Sequence, residues 1–297
     1  MKFQQLRAFH AIASEGGVGR AARRLAVTQP TLSQHIKALE DRFGVALFER
    51  EGRLLRLTPI GERLYKMTSQ LMTSWDEIEN LLNQNNSVNS GRLRIGSDAP
   101  MHAVELLQRY KERYPNIDVS IRIQPGGAVL EQLEAANMDV AILVTPPAGG
   151  DFYLQPLNTE PLMAVVPAQH PIAAEGAVSL ARLAAETMIL REKRSMTRAA
   201  IEAELQARGL APRAILEISS REAIREAIAR GLGVTLMVTS DCVPDPRLAN
   251  VPLDIDDRTT HLTEYVVTRQ DRRRTPIIRE FLDIALAYAG ELARRRL

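Results

Sequence analysis

The chain has 297 residues, of which 45% are hydrophobic and 25% are charged, as in ordinary soluble globular proteins. No stretch of eighteen apolar residues occurs, so no membrane-spanning helix is expected, and residues 1–17 lack the unbroken apolar run of a signal peptide. The single cysteine, Cys242, excludes an internal disulfide. We therefore expect a cytoplasmic protein of two or three domains.

The net charge of +2 conceals an uneven distribution. Residues 1–66 carry 12 Lys and Arg against 6 Asp and Glu, whereas the remaining residues carry 26 basic and 30 acidic side chains. A basic N-terminal segment on a mildly acidic remainder favours a polyanionic partner for that segment alone. A solvated charged surface gives the same counts, so charge alone leaves both interpretations open.

Helical spacing of apolar residues predicts three short helices at the N-terminus. The first covers residues 3–14 and stops at Gly16 and Gly17, and the second has Ala21 and Ala22 on its inner face. The third begins with Thr28 as N-cap and a proline in its first turn. Its predicted buried stripe, with steps of four and three residues, is Leu32, Ile36, Leu39 and Phe43.

The opposite face of the third helix is polar, with Gln29, Thr31, Ser33, Gln34 and Lys37. Short donors and acceptors with one cation suit base edges in a major groove. The free N–H groups at the start of such a helix can also hold a phosphate. A plain solvated helix face is the alternative interpretation of these residues.

Residues 47–50 and 54–57 are predicted as two short extended segments around a tip that contains Arg53. Together they form a hairpin with a basic tip. Helices of this kind followed by such a hairpin are typical of a winged helix-turn-helix. In that fold, Arg50, Arg53 and Arg56 would lie over phosphates or reach a minor groove.

A long helix is predicted from Pro59 onwards. Its apolar residues recur every three or four positions, as in a coiled coil, at Ile60, Leu64, Met67, Leu71, Trp75, Ile78 and Leu81. The expected partner is the same helix of a second copy, because two reading helices would meet a two-fold symmetric site. Packing of the helix on its own domain is the alternative. The polar residues 85–91 predict a hinge.

Behind the hinge, predicted strands and helices alternate, which favours a parallel α/β sheet. The predicted strands are 92–96, 119–123, 139–144, 187–190, 214–218 and 234–238. The predicted helices are 104–113, 128–136, 197–208 and 222–230. Residues 162–167 and 264–268 are predicted to carry the chain between two lobes.

In such sheets, ligands bind beyond the carboxyl ends of strands and at helix N-termini. The residues at these positions are Ser97, Asp98, Met101, His102, Thr145, Arg191, Ser195, Thr197, Ser219, Ser220 and Arg221. Hydroxyls beside free N–H groups suit an anion, and Arg194 and Arg198 add nearby cations that could pair with a carboxylate or phosphonate. The alternative is that the serines are only N-caps and the arginines only surface residues.

Nothing in the sequence favours an enzyme. The five histidines, at positions 10, 35, 102, 170 and 261, lack the spacing of metal ligands. Neither a Gly-x-Ser-x-Gly elbow nor a Gly-rich phosphate loop with Lys occurs. No feature marks Cys242 as a nucleophile. We therefore expect no catalytic residue, no metal and no cofactor.

The first sixty residues resemble the DNA-binding domain of the LysR-type transcriptional regulators. The resemblance rests on Gln5-Leu6-Arg7-Ala8-Phe9, Ala21-Ala22-Arg23-Arg24-Leu25, Thr28-Gln29-Pro30-Thr31-Leu32-Ser33, Leu47-Phe48-Glu49-Arg50 and Leu57-Thr58-Pro59-Ile60-Gly61. One departure is Gly19, which lacks a hydroxyl common in the family, so we expect some loss of backbone contact there. The order of elements behind the hinge resembles the effector domain of the same regulators.

The resemblance implies an α/β protein with an N-terminal all-α winged helix-turn-helix and a C-terminal two-lobed, Rossmann-like effector domain similar to periplasmic binding proteins. The predicted boundaries are 1–58 for the DNA-binding domain, 59–84 for the dimerisation helix, 85–91 for the hinge and 92–297 for the effector domain. Within that domain, residues 92–161 and 267–297 form the first lobe and residues 162–266 the second.

The resemblance also implies a sequence-specific transcription regulator without enzymatic activity. A homodimer, or a homotetramer, would bind double-stranded DNA at a palindromic promoter site, with a small-molecule effector between the lobes and RNA polymerase as a further partner. The residues implied in DNA binding are Arg23, Thr28, Gln29, Pro30, Thr31, Ser33, Gln34, Lys37, Arg50, Arg53 and Arg56. A nucleoid-type DNA-binding protein without ligand control is the alternative.

Two segments of the second lobe indicate the chemical class of effector to expect. Ser195-Met196-Thr197-Arg198 and residues 219–227 are similar to a LysR subgroup associated with aminoethylphosphonate utilisation. The hydroxyls and arginines of these segments suit an anion. The similarity therefore implies a small phosphonate or carboxylate as the effector.

Overall fold

The computed structural model describes residues 1–51, 54–82, 91–144, 151–254 and 261–294. The chain forms two compact units, and all helices and strands up to residue 82 belong to the first. No helix in the described ranges is both long enough and apolar enough to span a membrane.

The first unit consists of four helices and a hairpin. In chain order these are α1 (Phe3–Glu15), α2 (Val18–Leu25), α3 (Gln29–Phe43), β1 (Phe48–Glu51), β2 (Leu54–Leu57) and α4 (Pro59–Leu82). The two strands are antiparallel, with Phe48 opposite Leu57. The predicted winged helix-turn-helix and the long helix behind it are therefore confirmed.

A tight turn separates α1 from α2. Gly16 has a φ of 64°, in the left-handed region that favours glycine at the end of a helix. Ala21 and Ala22 of α2 are buried, and their small side chains let α2 pack closely against its neighbours. This short path allows α2 and α3 to share one core.

The core of the first unit lies between α1, α2, α3 and the hairpin, and includes Phe9, Ile12 and Leu32. Leu32, Ile36 and Leu39 are buried as predicted, but Phe43 is 54% exposed. Phe43 is the last residue of α3, and the chain turns away at Gly44. Its ring is instead covered by the guanidinium of Arg42, 5.5 Å from the ring centroid.

The second unit is an α/β structure. Its first elements are β3 (Arg92–Ser97), α5 (Pro100–Arg113), β4 (Asp118–Ile123), α6 (Gly126–Glu134), β5 (Val140–Val144) and β6 (Phe152–Pro167). They are followed by α7 (Leu180–Ala184), β7 (Thr187–Leu190), α8 (Met196–Ala207), β8 (Ala214–Glu217), α9 (Arg221–Ala229), β9 (Thr235–Val238), β10 (Leu248–Pro252), β11 (His261–Arg269) and α10 (Pro276–Arg294).

Seven of these strands form one continuous sheet in the order β10-β6-β11-β5-β3-β4, with β9 also paired to β6. β3 is parallel to both β4 and β5, and β7 is parallel to β8. The β7–β8 pair joins the β9 side through hydrogen bonds between Ile189, Thr187 and Val234. The result is the predicted two-lobed domain.

Strand β6 connects the two lobes. Residues 152–161 pair with β11 in the first lobe, and residues 162–167 pair with β9 and β10 in the second. The predicted connecting segment, 162–167, is thus only the last six residues of a 16-residue strand. β11 pairs with first-lobe residues 152–161 from His261 onward, and its residues 264–267 also pair with β5, so it enters the first-lobe sheet ahead of the predicted boundary at 267.

Helix α10 completes the first lobe and has no counterpart among the predicted elements. Phe281 of α10 is fully buried against Tyr110 of α5, with 5.6 Å between the ring centroids. The carbonyl of Leu282 also accepts a hydrogen bond from the buried side chain of Gln155 in β6. α10 therefore fixes α5 and β6, the two elements that carry part of the site described below.

Candidate nucleic-acid interface and ligand cavity

Helix α3 presents one polar face to solvent. Gln29, Ser33, Gln34 and Lys37 are exposed, as are the predicted DNA-binding residues Thr28 and Pro30, whereas Thr31 is half-buried. Thr28 is the N-cap, and its hydroxyl accepts a hydrogen bond of 3.3 Å from the backbone N–H of Thr31. The polar face thus begins at a capped helix N-terminus.

Helix α2 lies beside the start of α3. Arg23 is exposed in its last turn. The N-cap of α2 is Gly17, which offers no side chain. A Cβ atom at Gly19 would lie 3.4 Å from the side-chain nitrogen of Gln29, so this glycine leaves room for Gln29 at the edge of the polar face.

The hairpin is tied to α3 and α4 by hydrogen bonds. The Glu40 carboxylate accepts from the backbone N–H of Leu47 at 2.7 Å, and the Thr58 hydroxyl donates to the carbonyl of Ala46 at 2.7 Å. Arg56 is exposed and stands opposite Glu49 in the register. Arg53 and the side chain of Arg50 lie outside the described residues, so their predicted roles stay predictions.

Helix α4 carries an exposed apolar stripe. Its members, 39–67% exposed, are Ile60, Met67, Leu71, Trp75 and Ile78. Leu64, predicted to belong to the same seam, packs instead against the core of the first unit. Trp75 also stacks on Phe3, with 4.3 Å between the ring centroids. The side chain of Leu81 lies outside the description.

In the second unit, a small cavity open to solvent lies within the second lobe, between β7, β9, α8 and α9. It brings together three of the predicted ligand-binding residues, Arg191, Thr197 and Arg221, with three polar neighbours, Arg198, Thr235 and Asp241. Apolar side chains form the rest of the wall, namely Leu190, Ile201, Ile224, Leu236 and Met237.

Each arginine of the cavity is already paired with a carboxylate. Arg191 donates two hydrogen bonds to Glu192, at 2.9 and 3.0 Å, and Arg221 pairs with Asp241 at 2.6 Å.

Arg198 is buried and contacts Glu202 and Glu217 at 2.7 and 2.6 Å. Arg194 pairs with Glu131 near the surface. An anionic ligand would have to compete with these carboxylates for the guanidinium groups.

Several predicted ligand-binding hydroxyls serve the backbone instead. Ser97 is fully buried, and its hydroxyl lies 3.0 Å from the carbonyl of Ile142 and accepts from the N–H of Ala99 at 2.9 Å. Ser195 and Ser220 are the N-caps of α8 and α9.

Two further predicted residues, Ser219 and Met101, are exposed, and Thr145 lies outside the described residues. Ser195 and Ser220 thus occupy the N-cap positions that the alternative interpretation assigned to the serines.

Asp98 is buried next to the cavity wall. Its Oδ1 accepts a hydrogen bond from the backbone N–H of Val144 at 3.1 Å, and its backbone carbonyl accepts from Arg221 at 2.6 Å. Burial raises the pKa of Asp98 to about 7, although the hydrogen bond from Val144 and the charge of Arg221 act in the opposite direction. Near neutral pH, this carboxyl can therefore hold or release a proton.

His102 belongs to a second polar group. Its Nδ1 lies 2.6 Å from Oε2 of Glu264, and both side chains are buried. Burial alone would lower the pKa of His102, but the hydrogen bond and the charge of Glu264 raise it above its ordinary value. Burial likewise raises the pKa of Glu264, against the effect of His102. Each of the two side chains therefore favours its protonated form more than it does in water.

Sequence reasoning missed Glu264, Glu160 and Asp241, which lie within interaction range of His102. Glu264 and Asp241 stand more than 130 positions from His102 in the sequence, so no local spacing could associate them with it. The only sequence signal for Glu264 was the alternation of side chains along β11, which places Glu264 on one face of the strand. Cys242 does not act as a thiolate here, because burial raises the pKa of its thiol to about 12.

Known protein families match both the helix-turn-helix part and the α/β part of the chain. The lysR family of bacterial regulatory helix-turn-helix proteins matches residues 3–62, and the LysR substrate binding domain matches residues 86–290. The chain therefore belongs to the LysR family of transcriptional regulators. It is a DNA-binding regulator with an effector-binding domain, and not an enzyme.

Particular relatives resemble the chain along nearly its whole length. The RuBisCO operon transcriptional regulator of Allochromatium vinosum is 30% identical over 98% of both chains. The HTH-type transcriptional activator CmpR of Synechocystis sp. is 29% identical over 96% of this chain and 94% of its own. The structure of full-length OxyR from Pseudomonas aeruginosa is 26% identical, with a TM-score of 0.78 over 97% of this chain and 94% of that one.

The raised pKa of Asp98 predicts a pH-dependent stability. Its pKa is about 7 in the fold against an ordinary value of 3.8, so its favourable contribution is complete below pH 3.8 and is lost as the pH rises through 7. Asp98→Asn keeps the acceptor for Val144 and removes the charge. At pH 8 we expect the variant to be more stable than the wild type by up to about 4 kcal/mol, with the difference vanishing near pH 4.

Thermal and urea unfolding between pH 4 and 8 measure this effect. Asp283→Asn is the matched control, because Asp283 is exposed on α10, and its profile should follow the wild type. Parallel profiles for Asp98→Asn and the wild type would show that Asp98 is ionised in the fold at little cost.

Proposed function

We propose that a homodimer of this chain reads a two-fold symmetric promoter site with α3, and that a small effector carrying an anionic group binds in the cavity of the second unit. The observation that carries the proposal is the exposed polar face of α3 above the buried stripe of Leu32, Ile36 and Leu39. Two dimers would form the tetramer implied by the sequence resemblance, with RNA polymerase as a further partner.

The reading role of α3 is supported by its chemistry. Gln29 and Gln34 can each present an amide donor and acceptor to adenine, and Lys37 can donate to guanine or phosphate. The exposed N-terminus of α3, capped by Thr28, can receive a phosphate. Arg23 and Arg56 flank this face and would contact the DNA backbone, which fixes position without reading sequence.

Gln34→Ala should weaken binding to the operator by about tenfold or more and leave binding to random DNA unchanged, since one base contact contributes about 1–3 kcal/mol of discrimination. Arg23→Ala should weaken binding to both DNAs and lower the salt dependence by about one phosphate contact. Fluorescence anisotropy at several salt concentrations measures both effects.

Gln4→Ala and Arg63→Ala serve as matched controls, because Gln4 and Arg63 are exposed on α1 and α4. Equal losses on operator and random DNA for both Gln34→Ala and Arg23→Ala would contradict the assigned roles. That result would favour a nucleoid-type DNA-binding protein instead.

The dimer is supported by the exposed stripe of α4. Met67, Leu71 and Ile78 are 67%, 39% and 52% exposed, and apolar side chains repeated along one helix are typical of a helix–helix interface. Leu64 and Trp75 contact the first unit itself. We therefore place the centre of the interface at Met67, Leu71 and Ile78.

Met67→Glu should raise the dimer dissociation constant by about 100-fold or more, because an unpaired charge buried in an apolar interface costs about 3 kcal/mol or more. Sedimentation velocity over a range of protein concentrations measures it. Gln4→Glu adds the same charge to the exposed surface of α1 and should leave the dimer intact. A dimer that withstands Met67→Glu would place the interface elsewhere.

The effector is proposed to be a small zwitterion whose anionic group is a phosphonate or carboxylate. Arg191 and Arg221 line the cavity and suit that group. Because Asp241 pairs with Arg221, an ammonium group on the effector would compensate Asp241 when the anion takes over its arginine. Aminoethylphosphonate, which the sequence similarity implies, has both charges on one short chain.

Aminoethylphosphonate should raise the melting temperature by several degrees, with a smaller rise for ethylphosphonate and none for ethanolamine. Arg191→Gln and Arg221→Gln should remove the rise. Arg230→Gln should keep it, because Arg230 forms its ion pair on the exposed side of α9. Shifts caused only by neutral or cationic compounds would exclude an anion-binding cavity.

A further inference from the structure

Three side chains outside the cavity lining converge in the interior of the second unit. His102, Glu160 and Glu264 each bring a ligand atom, nitrogen or carboxylate oxygen, to within 4.8 Å of the other two. His102 is 5% exposed, Glu264 is 3% exposed and Glu160 is half-buried. One imidazole and two carboxylates thus meet at one point of the fold.

Their convergence follows from the sheet register. In the antiparallel pair of β6 and β11, Glu264 stands opposite Asn158 and Leu262 opposite Glu160. Residues two apart on a strand share a face, so Glu160 and Glu264 occupy diagonal positions on one face. The register shifts next to Glu264, where Leu157 of β6 is an extra residue between Pro156 and Asn158, and such a bulge bends the strand that carries it. His102 comes from the first turn of α5.

Further polar groups hold these side chains in place. Oε2 of Glu160 accepts from the backbone N–H and the hydroxyl of Ser240, at 3.2 and 2.5 Å. The side-chain nitrogen of Asn158 lies 3.4 Å from Nε2 of His102. Contacts of this kind orient the ligands of metal sites in proteins.

We propose that His102, Glu160 and Glu264 bind a divalent transition-metal ion, Zn²⁺ or an ion of similar ligand preference. An imidazole with carboxylates suits such ions, whereas Mg²⁺ and Ca²⁺ prefer oxygen ligands alone. Two carboxylates also neutralise the charge of a divalent ion, which limits the cost of burying it.

The present spacing requires only side-chain rotation to receive the ion. Ligand atoms about 2.0–2.2 Å from a tetrahedral Zn²⁺ stand about 3.3–3.6 Å from one another, and the three atoms here lie within 4.8 Å. The ion would replace the hydrogen bond between Nδ1 of His102 and Oε2 of Glu264. The fourth coordination position would be taken by water.

The imidazole can adopt the required tautomer. With Nδ1 on the metal, Nε2 carries the hydrogen and donates it to Asn158, whose amide turns by about 180° to present its oxygen. Such a turn changes no heavy-atom position appreciably, because the amide nitrogen and oxygen are nearly equal in size. Asn158 therefore suits either state of His102.

None of the three ligands lines the effector cavity, so the metal site does not depend on the proposed anionic effector. The test uses the full-length protein, treated with a chelator and then given Zn²⁺ alone. We expect about one Zn²⁺ per chain to remain after gel filtration, measured by inductively coupled plasma mass spectrometry. The melting temperature should rise by several degrees.

Glu160→Gln and Glu264→Gln should each lower the affinity for Zn²⁺ by tenfold or more. The matched controls are Glu186→Gln and His170→Gln, which alter a second, half-buried His–Glu pair whose atoms lie 3.9 Å apart. Both controls should bind Zn²⁺ as the wild type does. Circular dichroism of each variant establishes that it is folded.

X-ray absorption of Zn²⁺ bound to the wild type tests the site without any substitution. One imidazole with oxygen ligands supports the proposal, and two or more imidazoles overturn it. Failure of the wild type to retain Zn²⁺, unchanged affinity in folded Glu160→Gln and Glu264→Gln variants, or an equal temperature shift with Mg²⁺ would each overturn it as well.

Discussion

The continuous strand β6 is the constraint on which the second unit depends. Its first ten residues belong to one lobe and its last six to the other, and its backbone groups are hydrogen-bonded on both sides of the crossing. Residues 158 and 160 lie just before the crossing, where they contact His102 and Ser240. The pairing of β9 with residues 162–165 sets one wall of the proposed effector cavity. Both polar sites are thus positioned by one strand.

Sequence patterns predicted the elements whose apolar residues repeat at short intervals. Leu32, Ile36 and Leu39 follow the helical period and are buried, because one face of the helix lies in the core of the first unit. Phe43 and Leu64 show where the period is insufficient. Phe43 follows the pattern at a helix end and stays exposed, whereas Leu64 follows the predicted dimer seam and packs inward. Whether such a residue is buried depends on where the neighbouring helices and strands end. The apolar repeat within one helix carries no information on those positions.

The candidate sites divide in the same way. Arg191, Thr197 and Arg221 were predictable because the ends of strands and the starts of helices collect ligands in α/β sheets. Their carboxylate partners could not be predicted from the sequence, since only the fold brings Asp241 next to Arg221. The His102, Glu160 and Glu264 cluster depends on two strands and a helix separated by 162 positions at the extremes. Histidine spacing in the sequence therefore argued against a metal where the fold assembles a suitable set of ligands.

Arg221 links the cavity to both lobes. It begins α9 in the second lobe, pairs with Asp241, and donates to the carbonyl of Asp98 at the end of β3 in the first lobe. A ligand anion that binds Arg221 must compete with both contacts, and the contact with Asp98 is one that joins the lobes. A ligand shifts the equilibrium between two arrangements of the lobes only through contacts that differ between those arrangements. A ligand that displaces the contact between Arg221 and Asp98 can therefore change how the lobes meet. The arginine proposed to bind the anion is thus also a residue through which that binding could be transmitted between the lobes.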